Sequence, residues 1–281
     1  MPWAHRDIAW LDRNLVIRLE KLQAQWNEHG AEAPDSSLVR WLGLDSFLVS
    51  PMLFALEGGR RRPPTDWELR VELNRAFRQL SQVLPSAKVQ RVGAGHRRAL
   101  RGMLLEGAEA RERHIALLVR AARLVHNKVT VAERRALEER VIRLANELEV
   151  RTDSLVVLSL LSCIYDSGPN VPDHRSAKPG RAVVKPGPNY SEEDAYNALA
   201  DLYALELLHN AHALFSNQRA VLYTADIGMA SMWTATQPCT RQATHLPNGR
   251  SRTTVNFRLD QGLFPALLPD DVAALSQRLA K

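Results

Sequence analysis

Three short apolar runs, each closing on a polar residue before helical periodicity begins, constrain the fold of this chain more than any other feature. The runs are Ile8 to Leu11, Phe47 to Val49 and Ala220 to Tyr223. The first closes on Asp12, the second on Ser50 followed by a Pro, and the third on a segment ending in Asp226. Apolar runs of this length indicate buried strands. Strands separated by helices predict a mostly parallel sheet that is covered on both faces.

The rest of the chain divides into further predicted segments. Residues 67–165 are almost continuously helical in pattern, which predicts a large helical insertion after an N-terminal part, residues 1–66. Residues 166–190 contain Pro and Gly so often that we expect a surface loop, and a closing lid is one use for it. Residues 191–281 form the C-terminal part, with a long helix capped by Ser191. Later in this part, an edge strand is expected at 253–259 after a turn at Asn248-Gly249, and a last helix near Asp270.

The basic character of the chain favours an anionic partner. The formal net charge is +6 and the isoelectric point is near 9.6. Guanidinium and ammonium groups contact phosphates. A single cluster of them is more often only a solvated surface, so the prediction depends on the clusters taken together. The residues predicted to contact nucleic acid are Arg60, Arg61, Arg62, Arg97, Arg98, Lys178 and Lys185, and Arg181 lies among the last of them.

Other features exclude several classes of protein. No apolar run approaches the roughly 18 residues of a membrane span, and the N-terminus lacks the pattern of a secretory signal, so we expect a cytoplasmic protein without a membrane partner. Cys163 and Cys239 form no CxxC pair, which argues against a zinc site and a disulfide framework. His209 and His212 lack cysteine partners, so they are a weak zinc alternative.

The acidic residues that follow the strands carry the predicted chemistry. If the first and last strands are parallel neighbours, Asp12 and Asp226 emerge at the same edge of the sheet. Glu57 lies on the helix after the second strand. Converging carboxylates repel one another, and Mg²⁺, which prefers oxygen ligands, relieves that repulsion. A metal at this edge would activate a phosphate and a water, which predicts phosphodiester hydrolysis. In the alternative interpretation both aspartates are helix N-caps and Glu57 is an exposed helix-end residue.

These residues resemble the motifs of PIN-like domains, a family of metal-dependent ribonucleases. The likeness covers about residues 6–60 and 190–235, in the segments Asp12-Arg13-Asn14, Ser50-Pro51 to Glu57, and Thr224-Ala225-Asp226. It implies a three-layer α/β/α sandwich and an endoribonuclease that uses Mg²⁺ or Mn²⁺. It also implies that Asp12, Glu57 and Asp226 bind the metal or its waters, and that Asn14 and Thr224 orient them. Family members are commonly restrained by an antitoxin-like protein partner.

The family supplies a further metal-binding acid from the helix before the last strand, where Asp201 and Glu206 both qualify. Glu206 lies at the usual short distance from the Thr-x-Asp strand, whereas Asp201 has the more usual residue type. Residues five apart on a helix diverge by roughly 140°, so the two are not expected to serve one metal. We favour Asp201 and keep Glu206 as the alternative.

Three functions follow from these observations. The first is an endoribonuclease acting on single-stranded RNA, because single strands can thread a basic groove. The second is a PIN-like module that binds nucleic acid or protein without catalysis. The third, a dinucleotide-binding enzyme, is weak, because Gly93-Ala94-Gly95 is the only GxG and follows no apolar strand.

Overall fold

The computed structural model describes most of the chain. The described residues are 7–28, 42–53, 64–168, 171, 178–214, 220–236, 238–245 and 251–279. The chain forms two compact units, one of residues 1–106 and 211–226 and the other of residues 107–210 and 227–281. The predicted division into four segments stays a prediction.

The first unit contains a four-stranded parallel sheet. Its elements are β1 (Ile8–Leu11), α1 (Arg13–Glu28), β2 (Leu48–Ser50), α2 (Asp66–Val83), β3 (Lys88–Val89) and β4 (Ala220–Tyr223), and α3 (Ala94–Ala122) begins in it. The strand order is β3-β2-β1-β4. Ile8 lies beside both Leu48 of β2 and Ala220 of β4. The predicted α/β class with a parallel sheet is therefore confirmed, and its PIN-like form stays a prediction.

One face of this sheet packs against α1 and α2. Alternate residues of a strand point to the same face, so Ala9 and Leu11 of β1 enter one core cluster together with Val49 of β2. Val16 and Leu19 of α1 and several residues of α2 fill the same cluster. Burial of this apolar surface holds β1 in the centre of the sheet and fixes the point where α1 begins.

A short strand lies in the segment that the sequence predicts to be almost continuously helical. In β3, Lys88 pairs with Leu48 and Val89 with Val49. The sequence predicts breaks in the helical pattern near Pro85 and near Gly93 to Gly95, and the strand lies between them. The strand itself is not predicted, because two residues are too few for alternating polarity to show in the sequence. The helix before it, α2, begins with a capping box in which Thr65 and Glu68 satisfy each other's backbone amides.

The second unit is mainly helical. Its elements after α3 are α4 (Val131–Glu147), α5 (Leu155–Ile164), α6 (Pro179–Val184), α7 (Glu192–Leu214), α8 (Ile227–Ala235), β5 (Pro238–His245), β6 (Ser251–Phe257) and α9 (Pro269–Leu279). Strands β5 and β6 pair antiparallel. The predicted cap of α7 is confirmed, because the Ser191 hydroxyl accepts a hydrogen bond from the Asp194 amide at 3.2 Å. The predicted last strand and last helix are confirmed as β6 and α9, whereas the turn at 248–249 lies outside the described residues.

Helix α6 lies inside the segment predicted to be a surface loop, and that prediction is wrong for residues 179–184. All residues of α6 except Arg181 are buried. Pro179 occupies the first turn, where its missing amide costs nothing. A Cβ atom on Gly180 would lie 2.6 Å from the Ser162 Cβ of α5. The glycine therefore serves close helix packing rather than a flexible loop.

The described helices include none that is both long enough and apolar enough to span a membrane.

Candidate active site at the carboxyl edge of the sheet

The first and last strands of the sheet bring distant residues together at one edge. Leu11 at the end of β1 lies beside Tyr223 at the end of β4. The Asp12 amide then donates a hydrogen bond to the Tyr223 carbonyl at 2.9 Å. Both chains leave the sheet at this point, so Asp12 and the Thr224–Asp226 segment share the carboxyl edge, as the strand pattern predicts.

The Asp12 carboxylate is held from two sides. Its side chain is buried, with 2% of the residue surface exposed. Oδ2 accepts a hydrogen bond from the Thr224 hydroxyl at 2.8 Å, and Oδ1 accepts one from the Asn14 amide at 3.1 Å. The Thr224 hydroxyl in turn accepts a hydrogen bond from the Asp226 amide at 2.9 Å. Thr224 thus links the two aspartates through one hydroxyl group.

Asp12 is also the N-cap of α1. Asn14 is the second residue of that helix, and its amide is one of the donors that an N-cap side chain satisfies. The Asn14 side chain itself is exposed. Its described contact with Asp12 runs through the backbone, so capping and orientation of the carboxylate are one and the same interaction.

The residues at this edge suit a hard divalent cation in their chemistry. Two carboxylate oxygens offer about four lone-pair directions, so one hydrogen bond to each oxygen leaves Asp12 able to accept further ligands. Asp226 is half-buried and supplies a second carboxylate. Within the described ranges no three His, Cys, Asp or Glu side chains are grouped to hold a metal. Glu57 lies outside the described residues.

The two candidates for the further acid both lie on α7, in the residues of the second unit. Asp201 is half-buried. Glu206 is exposed and lines a cleft of that unit together with Arg151 and Tyr203. Burial by the surrounding protein raises the pKa of the Glu206 carboxyl, and the charge of Arg151 opposes this.

The predicted phosphate-binding residues differ in how exposed they are to solvent. Arg98 and Lys185 are exposed, and Lys178 is half-buried at the start of α6. Arg97 is half-buried and donates a hydrogen bond to the Val92 carbonyl at 3.4 Å. Arg60, Arg61 and Arg62 lie outside the described residues.

Arg181 is an internal residue, so its inclusion among the phosphate-binding groups is wrong. Its guanidinium forms an ion pair with Asp166, a residue whose side chain is 1% exposed. The same group donates to the carbonyls of Val125 and His126 at 3.0 Å and 2.8 Å. These bonds use the donors that a phosphate would need.

The weak zinc alternative gains no support from the described residues. The buried His209 ring stacks on Trp233 at 4.4 Å and meets the edge of Phe257 at 5.0 Å. Cys163 is a buried free thiol, and burial raises its pKa to about 12. A thiol with that pKa stays protonated at neutral pH and is a poor metal ligand.

A contact that sequence reasoning missed joins α3 to α7. The His114 Nδ1 atom lies 2.9 Å from the Tyr203 hydroxyl. Burial, with a smaller contribution from Arg113, lowers the pKa of His114 to about 4. No motif marks a pair separated by 89 residues on two helices, so the sequence holds no signal for it.

Comparison with protein-family models, curated proteins and solved structures finds no match to this chain.

Proposed function

We propose that this protein is a PIN-like endoribonuclease with a three-layer α/β/α sandwich, which hydrolyses RNA phosphodiester bonds with carboxylate-bound Mg²⁺ or Mn²⁺. One observation carries the proposal. The Thr224 hydroxyl donates to the Asp12 carboxylate, 212 residues away in sequence, and accepts from the Asp226 backbone amide, at the edge of a parallel sheet where ligands generally bind. Capping of α1 needs only the hydrogen bond that the Asn14 amide donates to Asp12. The hydrogen bond from Thr224 also fixes the orientation of the Asp12 carboxylate, which capping does not require.

Each residue has a specific task in this proposal. Asp12 and Asp226 present carboxylate oxygens to the cation, together with Glu57. The family resemblance alone adds Asp201 or, alternatively, Glu206 as a further acid. Thr224 fixes the rotamer of Asp12 by donating to Oδ2. Once bound, the metal would polarise the scissile phosphate and lower the pKa of the attacking water. Burial of Asp12 limits competing hydration and keeps its charge directed at the edge.

The proposed substrate is single-stranded RNA. Exposed cations such as Arg98 would contact its phosphates. A single strand also exposes its phosphodiester bonds to a shallow edge without the cost of opening a duplex.

The test is cleavage of labelled single-stranded RNA by purified protein in Mn²⁺, Mg²⁺ or EDTA. Wild type is expected to cleave only with metal, and Asp12→Asn and Asp226→Asn to lose at least about 100-fold in rate, as removal of a metal contact does. Asparagine is itself a good N-cap, so Asp12→Asn keeps α1 capped and isolates the loss of charge. The matched control is Asp45→Asn, which changes an exposed acid of the first unit.

Full activity in either aspartate variant would refute the site. Clean wild-type protein that binds RNA equally well in EDTA and cleaves none would instead favour the non-catalytic binding module. Thr224→Val and Thr224→Ser refine the result, because only serine keeps the hydroxyl that bonds both aspartates. We expect serine to retain most of the activity that valine loses.

A further inference from the structure

The second unit contains a small cleft that includes Glu206, the alternative candidate for the further acid of the proposed nuclease site. Its volume is about 270 Å³. Side chains from α3, α7, β6 and the segment between α4 and α5 line it, among them His114, Arg151, Tyr203, Glu206 and Phe257. Sites for drug-sized ligands have volumes of roughly 300 to 1,000 Å³. The cleft therefore suits a smaller molecule or the end of a side chain.

Glu206 is the carboxyl group of this cleft that has no partner among the described residues. Solvent reaches its side chain, yet enough protein surrounds the carboxyl group to raise its pKa. Among the described residues it forms no hydrogen bond or ion pair, although the Arg151 charge lies close enough to act on it. Such a carboxylate lies in a recess and lacks both full hydration and a partner, which favours binding of a cation.

The other charged groups of the cleft are already paired. Arg151 donates to both Asp153 oxygens, at 2.9 Å and 2.6 Å. Arg113 pairs with Glu149 at 2.7 Å. The two arginines are matched by Asp153 and Glu149, so Glu206 is the carboxyl group of the cleft that is left over, and the pKa of His114, about 4, keeps that residue neutral at pH 7.

The other residues that line the cleft determine which kind of cation it can bind. Leu155, Val156, Leu202 and Phe257 provide apolar wall beside the polar groups. A divalent metal needs several oxygen ligands, and the described residues contain no group of three metal-binding side chains. An organic cation with a short aliphatic part satisfies both the single carboxylate and the apolar wall.

We propose that this cleft binds a small aliphatic amine or guanidine, with the cation paired to Glu206 and the alkyl part against Phe257 and its apolar neighbours. The Tyr203 hydroxyl is within the same cleft and can accept a further N–H of the ligand. The ligand is either a free small molecule or the side chain of a lysine or arginine on a partner. The proposal requires that Asp201, and not Glu206, supplies the further acid of the proposed nuclease site, and it is otherwise independent of that function.

The experiment is calorimetric titration of the full-length protein with n-butylamine, agmatine and n-butanol. Both cations are expected to bind, and the neutral alcohol, which has nearly the same shape as the amine, at least about tenfold more weakly, since pairing with a recessed charge contributes roughly 1.4 kcal/mol or more. Nα-acetyl-lysine methylamide is added as a second amine. Tighter binding of this probe than of butylamine points to a protein side chain as the ligand, and weaker binding to a free amine.

Two variants with matched chemistry locate the binding. Glu206→Gln is expected to lower amine affinity at least tenfold, whereas Glu149→Gln, which alters an exposed and paired acid of the same cleft, should stay within about twofold. Asp226→Asn should bind amine as wild type does, so a failed nuclease site leaves this result intact. Equal binding of butanol and butylamine, unchanged affinity in Glu206→Gln, or no amine binding at millimolar concentration would each overturn the proposal.

Discussion

At the scale of single residues, Asp12 carries a structural and a proposed chemical task at once. Its Oδ1 atom caps α1 and its Oδ2 atom accepts from Thr224. The sequence allowed two interpretations of this residue, a helix cap or a site carboxylate, and the geometry makes them compatible. A carboxylate has enough lone pairs to serve both tasks.

Gly180 is the residue whose substitution we expect to be least tolerated for steric reasons. In Gly180→Ala the new Cβ would meet the Ser159 carbonyl and lie 2.6 Å from the Ser162 Cβ, so α6 must move away from α5. The expected loss is about 1–3 kcal/mol in the free energy of unfolding, or more. Urea denaturation followed by circular dichroism measures it.

The control for this substitution is Gly187→Ala in the same segment. Nothing lies within 4 Å of a Cβ built on Gly187, and its backbone is not left-handed. This variant is expected to be neutral or slightly more stable, since alanine reduces the entropy of the unfolded chain. Equal losses of unfolding free energy in both variants would show that close packing of α6 against α5 does not explain why position 180 is a glycine.

At the scale of elements, the short helix α6 depends on one arginine. Arg181 joins it to Asp166 beyond the end of α5 and to the backbone carbonyls of residues 125–127 and Cys163. The Asp166 side chain is almost fully buried. Removal of its cation leaves a charge in the interior without compensation.

We therefore expect Arg181→Met to destabilise the protein by about 3–5 kcal/mol, the usual cost of breaking a buried pair from one side. Asp166→Asn in the same background should recover part of that loss, because it removes the uncompensated charge. Lys128→Met is the control, since it neutralises an exposed cation near the same carbonyls. The measurement is chemical unfolding at pH 7, and a loss below about 1 kcal/mol in Arg181→Met would contradict the assignment.

The elements differ in how well the sequence predicts them. Strands β1, β2 and β4 are predictable because each is an apolar run that closes on a polar residue, and α7 because Ser191 and Asp194 form a local cap. Strand β3 is stabilised by pairing with β2 rather than by its own composition. Residues 179–184 are predicted to be a loop because Gly180 is required for a close contact with another helix, α5. No local sequence pattern indicates such a contact.

The parts of the candidate site also differ in how well the sequence predicts them. Alternating strands and helices predict that Asp12 and Asp226 share an edge, and the adjacency of β1 and β4 confirms this. The bridging role of the Thr224 hydroxyl came only from the family resemblance, as an orienting residue. The cleft around Glu206 depends on side chains from four segments, and the sequence predicts none of their proximity.

At the scale of the whole molecule, the net charge of +6 gives RNA binding a dependence on salt that single residues should alter. Each phosphate contact on a single strand contributes about 0.7 to the slope of log affinity against log salt concentration. Arg98→Gln is expected to reduce that slope by about 0.7, because Arg98 is exposed and contacts a phosphate in the proposed complex. Fluorescence anisotropy in EDTA, at salt concentrations from about 50 to about 300 mM, measures this slope.

The comparison for Arg98 is Arg140→Gln, which removes an exposed positive charge from α4. The slope of log RNA affinity against log salt concentration in this variant should match that of wild type. A reduction of the same size in both variants would mean that net charge, and not a defined contact, governs the association.

Because β1 and β4 are far apart along the chain, the proposed site forms only after β4 has been synthesised. The hydrogen bond between Asp12 and Thr224 spans 212 residues. A ribosome adding about 5–20 residues per second needs roughly 10–40 seconds to make that stretch. Throughout that time β1 lacks its neighbour on one side and the proposed site does not exist. A nascent chain that has not yet reached β4 would therefore be inactive in the proposed cleavage of RNA.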